Sequence, residues 1–298
     1  MPKQVYASAN GKIIFSGEHA GVYGYPMIAG PINKTITVSI REGQIVNHDD
    51  LFLKLLSIFS QEFRLELKKL KKLDYQITSD LPSKSGLGSS AAYSKALFSA
   101  LANYFSLTVS KQQLFELIQR SETIFHGNPS GVDAAVVVFN KYLYFQKQNK
   151  TYCYESLNQQ AQKILSVTPL YAIYSGAADE STKEMVSLVA EALQAQPKKK
   201  DLLEKIGKLT EKSGEFLEDG VFPFALIQEN HLLLEELGVV GEKAQVMIQA
   251  IQTAGAVAKI TGAGGIKNGS GYLLAAHQDP AFEDFLKSKK WQYFKVFN

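Results

Sequence analysis

Residues 81–97 read LPSKSGLGSSAAYSKAL, and between the proline and the alanine pair stand two glycines and four serines. Ser and Gly are good helix-start residues, so the composition suits the beginning of a helix. A loop without bulky side chains also lets backbone N–H groups reach an anion, and a helix N-terminus adds its positive dipole end. Either way a helix follows this loop, because Leu97, Phe98, Leu101 and Phe105 recur at helical spacing after it.

Working outward, LDYQITSDLP reads as a strand entering this loop, and a helix is expected before it from about Asp49 to Leu73, with Phe52, Leu55, Leu56 and Phe59 on one face. QVYASA, KIIFSG and KTITVSI are short strand-like runs near the start. Downstream come a second helix from about Ser110 to Thr123, a turn over Asn128–Asp133 and the strand NKYLYFQKQ. Strand–helix alternation restarts near Thr168. PLYAIYSG is a strand, and STKEMVSLVAEAL opens with a capping box pairing Ser181 with Glu184. Helices near 200–215 and 240–254 follow. The strand GAVAKI, a glycine loop, the strand GYLLAA, a short helix and the strand QYFKVF then complete the pattern. The expectation is an α+β protein with one domain over 1–165 and another over 166–298.

The chain has 298 residues, 45% of them hydrophobic and 20% charged, which fits a globular protein with a packed core. A net charge of +3 is too small to argue for nucleic acid but suits small anionic molecules. Cys153 is the single cysteine, so no internal disulfide can form. It is expected to pack within a strand. No signal-like apolar core opens the chain and no apolar window reaches the ~18 residues of a membrane span, so a cytoplasmic protein without membrane contact is expected.

Several residues could carry chemistry. Glu122 stands four residues after Ile118 and eight after Leu114, on their apolar stripe. A carboxylate there is costly unless it meets a cation, or the helix has frayed and the side chain reaches water. Asp133 follows the turn GNPSG, where it is either a plain N-cap or a reactive carboxylate. Lys12 precedes the apolar run Ile13–Phe15, either as a surface lysine or as a cation meeting Asp133 in a cleft.

Three stretches in order, ASANGKIIFSGEHAGVYG, GLGSSAAYS and KITGAGG, resemble the three motifs of the GHMP superfamily of small-molecule kinases. The Glu-His-Ala and Val-Tyr-Gly pieces of the first, together with HGNPSGVD, are most similar to the mevalonate kinase branch. The resemblance implies a two-domain fold with ATP and mevalonate in the cleft between domains. It also implies transfer of the γ-phosphoryl group to the 5-hydroxyl of mevalonate, a step of isoprenoid synthesis. By position, Lys84, Ser85, Gly86, Leu87, Gly88, Ser89 and Ser90 would cradle the ATP phosphates, and Ser90 with Glu122 would hold Mg²⁺. Asp133 would accept or orient the hydroxyl proton, with Lys12 stabilising charge beside it. Glu18, His19, Thr182 and Gly264 would line the substrate pocket, His19 as a donor to the mevalonate carboxylate. A homodimer is compatible with the family.

Two departures stand out. Asn10 replaces the family's usual proline, which would loosen a turn. The third loop, GAGGIKNGSGYLL, is longer than usual and carries Lys267, either a phosphate contact or a solvent-facing side chain. Within the superfamily, phosphomevalonate, a different hydroxyl of mevalonate or a sugar are the alternative acceptors. A metabolite sensor without turnover is the alternative class.

Overall fold

Two strands longer than any other, β1 (Gln4–Ser16) and β2 (Met27–Glu42), organise the computed structural model. It describes residues 4–43, 49–82, 85–127, 129–148, 151–279 and 281–297. Backbone contacts group the chain into two units interleaved along the sequence: residues 1–11, 34–83 and 88–140 in one, and 12–33, 84–87 and 141–298 in the other. The interleaving follows from β1 and β2, each of which contributes residues to both.

In the first unit, the later half of β2 pairs antiparallel with β3 (Leu73–Ser79), from Ile36↔Ser79 to Glu42↔Leu73. The unit's helices are α1 (Asp50–Glu62), α2 (Leu67–Leu70), α3 (Ser89–Phe105), α4 (Lys111–His126) and α5 (Val132–Phe139). The helix expected over 49–73 is therefore broken. Asp49 caps α1 through Phe52 N–H, as an N-cap aspartate should. The chain then turns at Arg64, whose φ is 52°, and Leu65 N–H returns to Ser60 O before the short α2 and β3. Phe59 and Phe98, both fully buried, stack across α1 and α3 with ring centroids 5.9 Å apart. Asn10 lies inside β1, so it occupies a strand position and not the expected turn.

The second unit contains β4 (Leu143–Gln148), β5 (Thr151–Ser156), α6 (Gln159–Val167), β6 (Leu170–Gly176), α7 (Thr182–Ala195), α8 (Lys200–Glu218) and α9 (Phe224–Leu237). It continues with α10 (Glu242–Thr253), β7 (Val257–Ile260), β8 (Gly271–Ala276), α11 (Phe282–Ser288) and β9 (Tyr293–Lys295). The last four strands, β6 to β9, form an antiparallel sheet in the order β7-β8-β6-β9. The start of β2 pairs with β4, and β4 with β5. Ser181 caps α7 in the expected capping box with Glu184. The core joins β6, β7 and β8 to α7 through α10, with Ile173, Ile206, Leu234, Ile248 and Leu273 all fully buried. Cys153 is exposed on β5 and does not pack as expected. No helix among the described residues is long and apolar enough to cross a membrane.

Replacing Phe59 with alanine removes a fully buried ring and its stacking partner, so Phe59→Ala should cost about 3–5 kcal/mol. Urea unfolding followed by circular dichroism measures this. A loss under ~1 kcal/mol would mean that the site collapses around the void.

Candidate active site

The loop that opens α3 explains its own composition. Gly86 and Gly88 both take left-handed backbone conformations, with φ of 79° and 71°. A Cβ on Gly86 would stand 3.2 Å from the carbonyl oxygen of Thr261, so the loop passes close to another backbone. Gly88 is the N-cap of α3 and supplies no capping side chain. The first-turn amides thus keep the donors that a serine or aspartate cap would have occupied. Ser85 and Leu87 are buried, Ser89 and Ser90 half-buried, while Lys84 lies outside the described residues.

Within the first unit, Ser90 and Glu122 come together on one histidine. Ser90 Oγ lies 3.0 Å from His126 Nε2, and the same nitrogen is 3.6 Å from Glu122 Oε2. Glu122 is 2% exposed and sits in the last turns of α4, which runs on to His126, so the helix has not frayed there. A hydroxyl and a carboxylate converging on one point are hard oxygen donors of the kind Mg²⁺ accepts. No group of three or more His, Cys, Asp or Glu residues able to hold a metal occurs among the described residues. His126 was not singled out from the sequence, although its place four residues after Glu122 is one helical turn away.

Asp133 is the second residue of α5, and Gly131, with φ 98°, is the N-cap. The plain N-cap reading of Asp133 therefore fails. A carboxylate in a helix's first turn also complements the dipole.

In the second unit, Lys12 is 3% exposed, and its ammonium donates to Gly86 O at 3.0 Å while its backbone N–H donates to Leu87 O at 2.9 Å. The surface-lysine reading is excluded. Farther along the same motif, Glu18 is fully buried in an ion pair with Lys259, itself fully buried. Asn230 Nδ2 donates to the other Glu18 oxygen at 3.3 Å. Burial pushes the Lys259 ammonium below the ordinary lysine range, while Glu18 opposes that shift.

His19 follows in a strained turn. Its φ is 59° and ψ −44°, and Ala20 N–H donates to Glu18 O at 2.7 Å across it, which is a γ-turn of the rare positive-φ kind. The His19 Nε2–H donates to Ala263 O at 2.9 Å. That proton is thereby committed to the third motif's loop and not available to a carboxylate. Burial lowers the imidazole pKa from 6.5 to about 4. Gly264 has φ 73°, and a Cβ there would stand 1.9 Å from Val239 O, so the backbone itself demands glycine. Thr182 is exposed at the first position of α7. Lys267 is exposed too, on a loop pinned at its base. Ile266 N–H donates to Glu180 at 3.2 Å, and Asn268 Nδ2 donates to Asp179 at 2.9 and 3.1 Å.

Comparison with known proteins gives the family. The GHMP kinases N terminal domain family matches residues 50–141. The mevalonate kinase of Pyrococcus horikoshii is 33% identical, the alignment covering 92% of this chain and 90% of that protein. The mevalonate kinase of Thermococcus sibiricus is also 33% identical, covering 91% and 89%. The crystal structure of L. major mevalonate kinase in complex with R-mevalonate superposes with a TM-score of 0.83, at 21% identity over 99% of this chain and 97% of that one. The fold is thus that of the GHMP small-molecule kinases, with α and β elements mixed as the sequence led us to expect. Within that class, the chain belongs to the mevalonate kinase family.

Protonation of His19 is linked to stability. The unfolded chain takes up its proton below pH 6.5, the folded one only near 4, so this residue's contribution is intact above 6.5 and is lost as pH falls toward 4. At about 1.4 kcal/mol per pKa unit the loss is on the order of 3 kcal/mol. Chemical denaturation of wild type and His19→Gln between pH 7 and 4 should show a shallower fall in the variant. Parallel curves would place the acid sensitivity elsewhere.

Proposed function

We propose that the protein transfers the γ-phosphoryl group of ATP to the 5-hydroxyl of mevalonate, giving 5-phosphomevalonate and ADP. The observation that carries this reading is the similarity to a mevalonate kinase over 92% of the chain, and the motif resemblance assigns Lys12, Ser90, Glu122 and Asp133 to the chemistry. Phosphoryl transfer depends mainly on positioning and charge neutralisation, and these are what such residues supply.

In this reading the amides from Ser85 to Ser90, with Lys84, receive the triphosphate. Gly88 supports this assignment, since an N-cap without a side chain leaves the first-turn N–H groups of α3 to the phosphates. Ser90 Oγ and the Glu122 carboxylate would hold Mg²⁺, which when bound would supply charge neutralisation for the phosphates. Asp133 orients the mevalonate hydroxyl and takes its proton as the new P–O bond forms. Lys12 stabilises the oxygens of the transferring group, and the Gly86 carbonyl that it already touches fixes its ammonium beside the phosphate loop. His19, Thr182 and Gly264 line the substrate side. Because the His19 Nε2–H is spent on Ala263, His19 shapes the wall there and does not donate to the carboxylate. The single cysteine and small net charge suit a cytoplasmic enzyme working on small anions.

An ADP-release assay with ATP and Mg²⁺ should give turnover with mevalonate and none with phosphomevalonate or galactose. Turnover with either of the latter alone would overturn the substrate assignment. Asp133→Asn should bind ATP as the wild type does while kcat falls by about 10²–10⁴-fold. Retention of near-normal kcat would remove Asp133 from the chemistry. Ser90→Ala and Glu122→Gln should raise the Mg²⁺ concentration needed for half-maximal rate, and an unchanged requirement would dismiss the metal assignment.

A further inference from the structure

The second unit buries one ion pair that the reaction as proposed does not use. Lys259 lies on β7 and Glu18 on the segment after β1, both fully buried. Taking two charges out of water is costly, and the pair must be held with all its remaining polar atoms satisfied to persist. The ammonium has three protons and three acceptors: Glu18 Oε1, Ile260 O at 2.9 Å and Ile14 O at 3.5 Å. Asn230 of α9 binds the second Glu18 oxygen and also lies 3.4 Å from Ser16 Oγ. Ser16 Oγ in turn is 2.7 Å from Thr210 Oγ1 of α8. One lysine thus joins β7 to the end of β1, and its partner joins both to α8 and α9.

What this network adjoins gives it a function. Glu18 is the first residue of the strained γ-turn whose centre is His19, and strain of this sort persists only where neighbours over-determine it. Lys259 fixes that first residue, and the Ala263 carbonyl fixes the centre. Ala263 lies four residues beyond Lys259, past Thr261, whose Oγ1 accepts from Ile14 N–H at 2.9 Å. The two clamps therefore act between the same two segments, residues 14–19 and 259–263, and Lys12 stands two residues before the first of them.

We propose that Glu18 and Lys259 are positioning residues: their buried pair holds the His19 turn and the strand end carrying Lys12 in the geometry that the phosphoryl transfer requires. Glu18 serves Lys259 and not the substrate. This rests on the kinase reading above, since it assigns a role in that reaction.

The test compares wild type, Glu18→Gln, Lys259→Met, the double variant and the milder Asn230→Ala. Each is assayed for melting temperature, for kcat with mevalonate and ATP per folded molecule, and for the His19 imidazole resonances in ¹⁵N-histidine NMR spectra. Each single substitution at the pair should lower kcat by about tenfold or more, and the double variant by no more than the worse single, because it leaves no lone buried charge. Asn230→Ala should lose about two- to fivefold, and it covers the case in which a charge-stranding variant does not fold. The His19 Nε2–H signal should shift in every variant. A lowered melting temperature with kcat within about twofold of wild type and an unmoved His19 signal would reduce the pair to a structural one and overturn the proposal. Wild-type protein inactive on mevalonate would instead sink the kinase reading. The His19 signal would still decide whether the pair controls the turn.

Discussion

A lysine with no exposed surface has to be answered by a counter-charge, and in this chain the answer determines where the first motif sits. Lys259 is pressed downward in proton affinity by burial, so its ammonium survives only because Glu18 and two carbonyls surround it. Hydrophobic residues of similar volume would pack as well and could slide. An ion pair with every hydrogen bond assigned has one register. That specificity extends along the chain to the His19 turn and its bond to Ala263, and back to Ile14, whose N–H and C=O both meet Thr261 Oγ1.

The small residues around this frame follow from how closely backbones approach. Gly86 runs beside Thr261, Gly264 beside Val239, and a Cβ on Gly271 would stand 2.9 Å from Ser85 O. These glycines come from two different motifs of the sequence, and each faces a different carbonyl of the second unit. A phosphate-binding loop needs backbone N–H groups that an anion can approach, and small side chains leave room for that approach. Gly86 therefore meets the demand of close backbone packing, and in the proposed reading the amides that follow serve the phosphates.

Much of this was legible in sequence. The capping box at Ser181, the helix after the serine- and glycine-rich loop and the β7–loop–β8 order were all visible as local patterns. The α5 helix was not read, because VDAAVVVF is short, apolar and rich in β-branched residues, and periodicity cannot separate such a run from a strand. Its helical start is set by Gly131 in the left-handed region. The α9 helix also escaped, since Asn230 and His231 interrupt its apolar stripe while being buried. For the site, the motifs pointed to Lys12, Glu122 and Asp133. The partners of Glu18 and His19 could not be read, because Lys259 and Ala263 lie more than 240 positions away and nothing local encodes that meeting.

The most direct measurement is a crystal structure of the enzyme with a non-hydrolysable ATP analogue, Mg²⁺ and mevalonate. The account predicts phosphates on the amides at the start of α3, the metal on Ser90 and Glu122, and the mevalonate hydroxyl between Asp133 and the γ-phosphate, while Glu18 stays on Lys259. Glu18 swung onto the substrate with Lys259 left to other partners, or a triphosphate bound away from the α3 start, would contradict it.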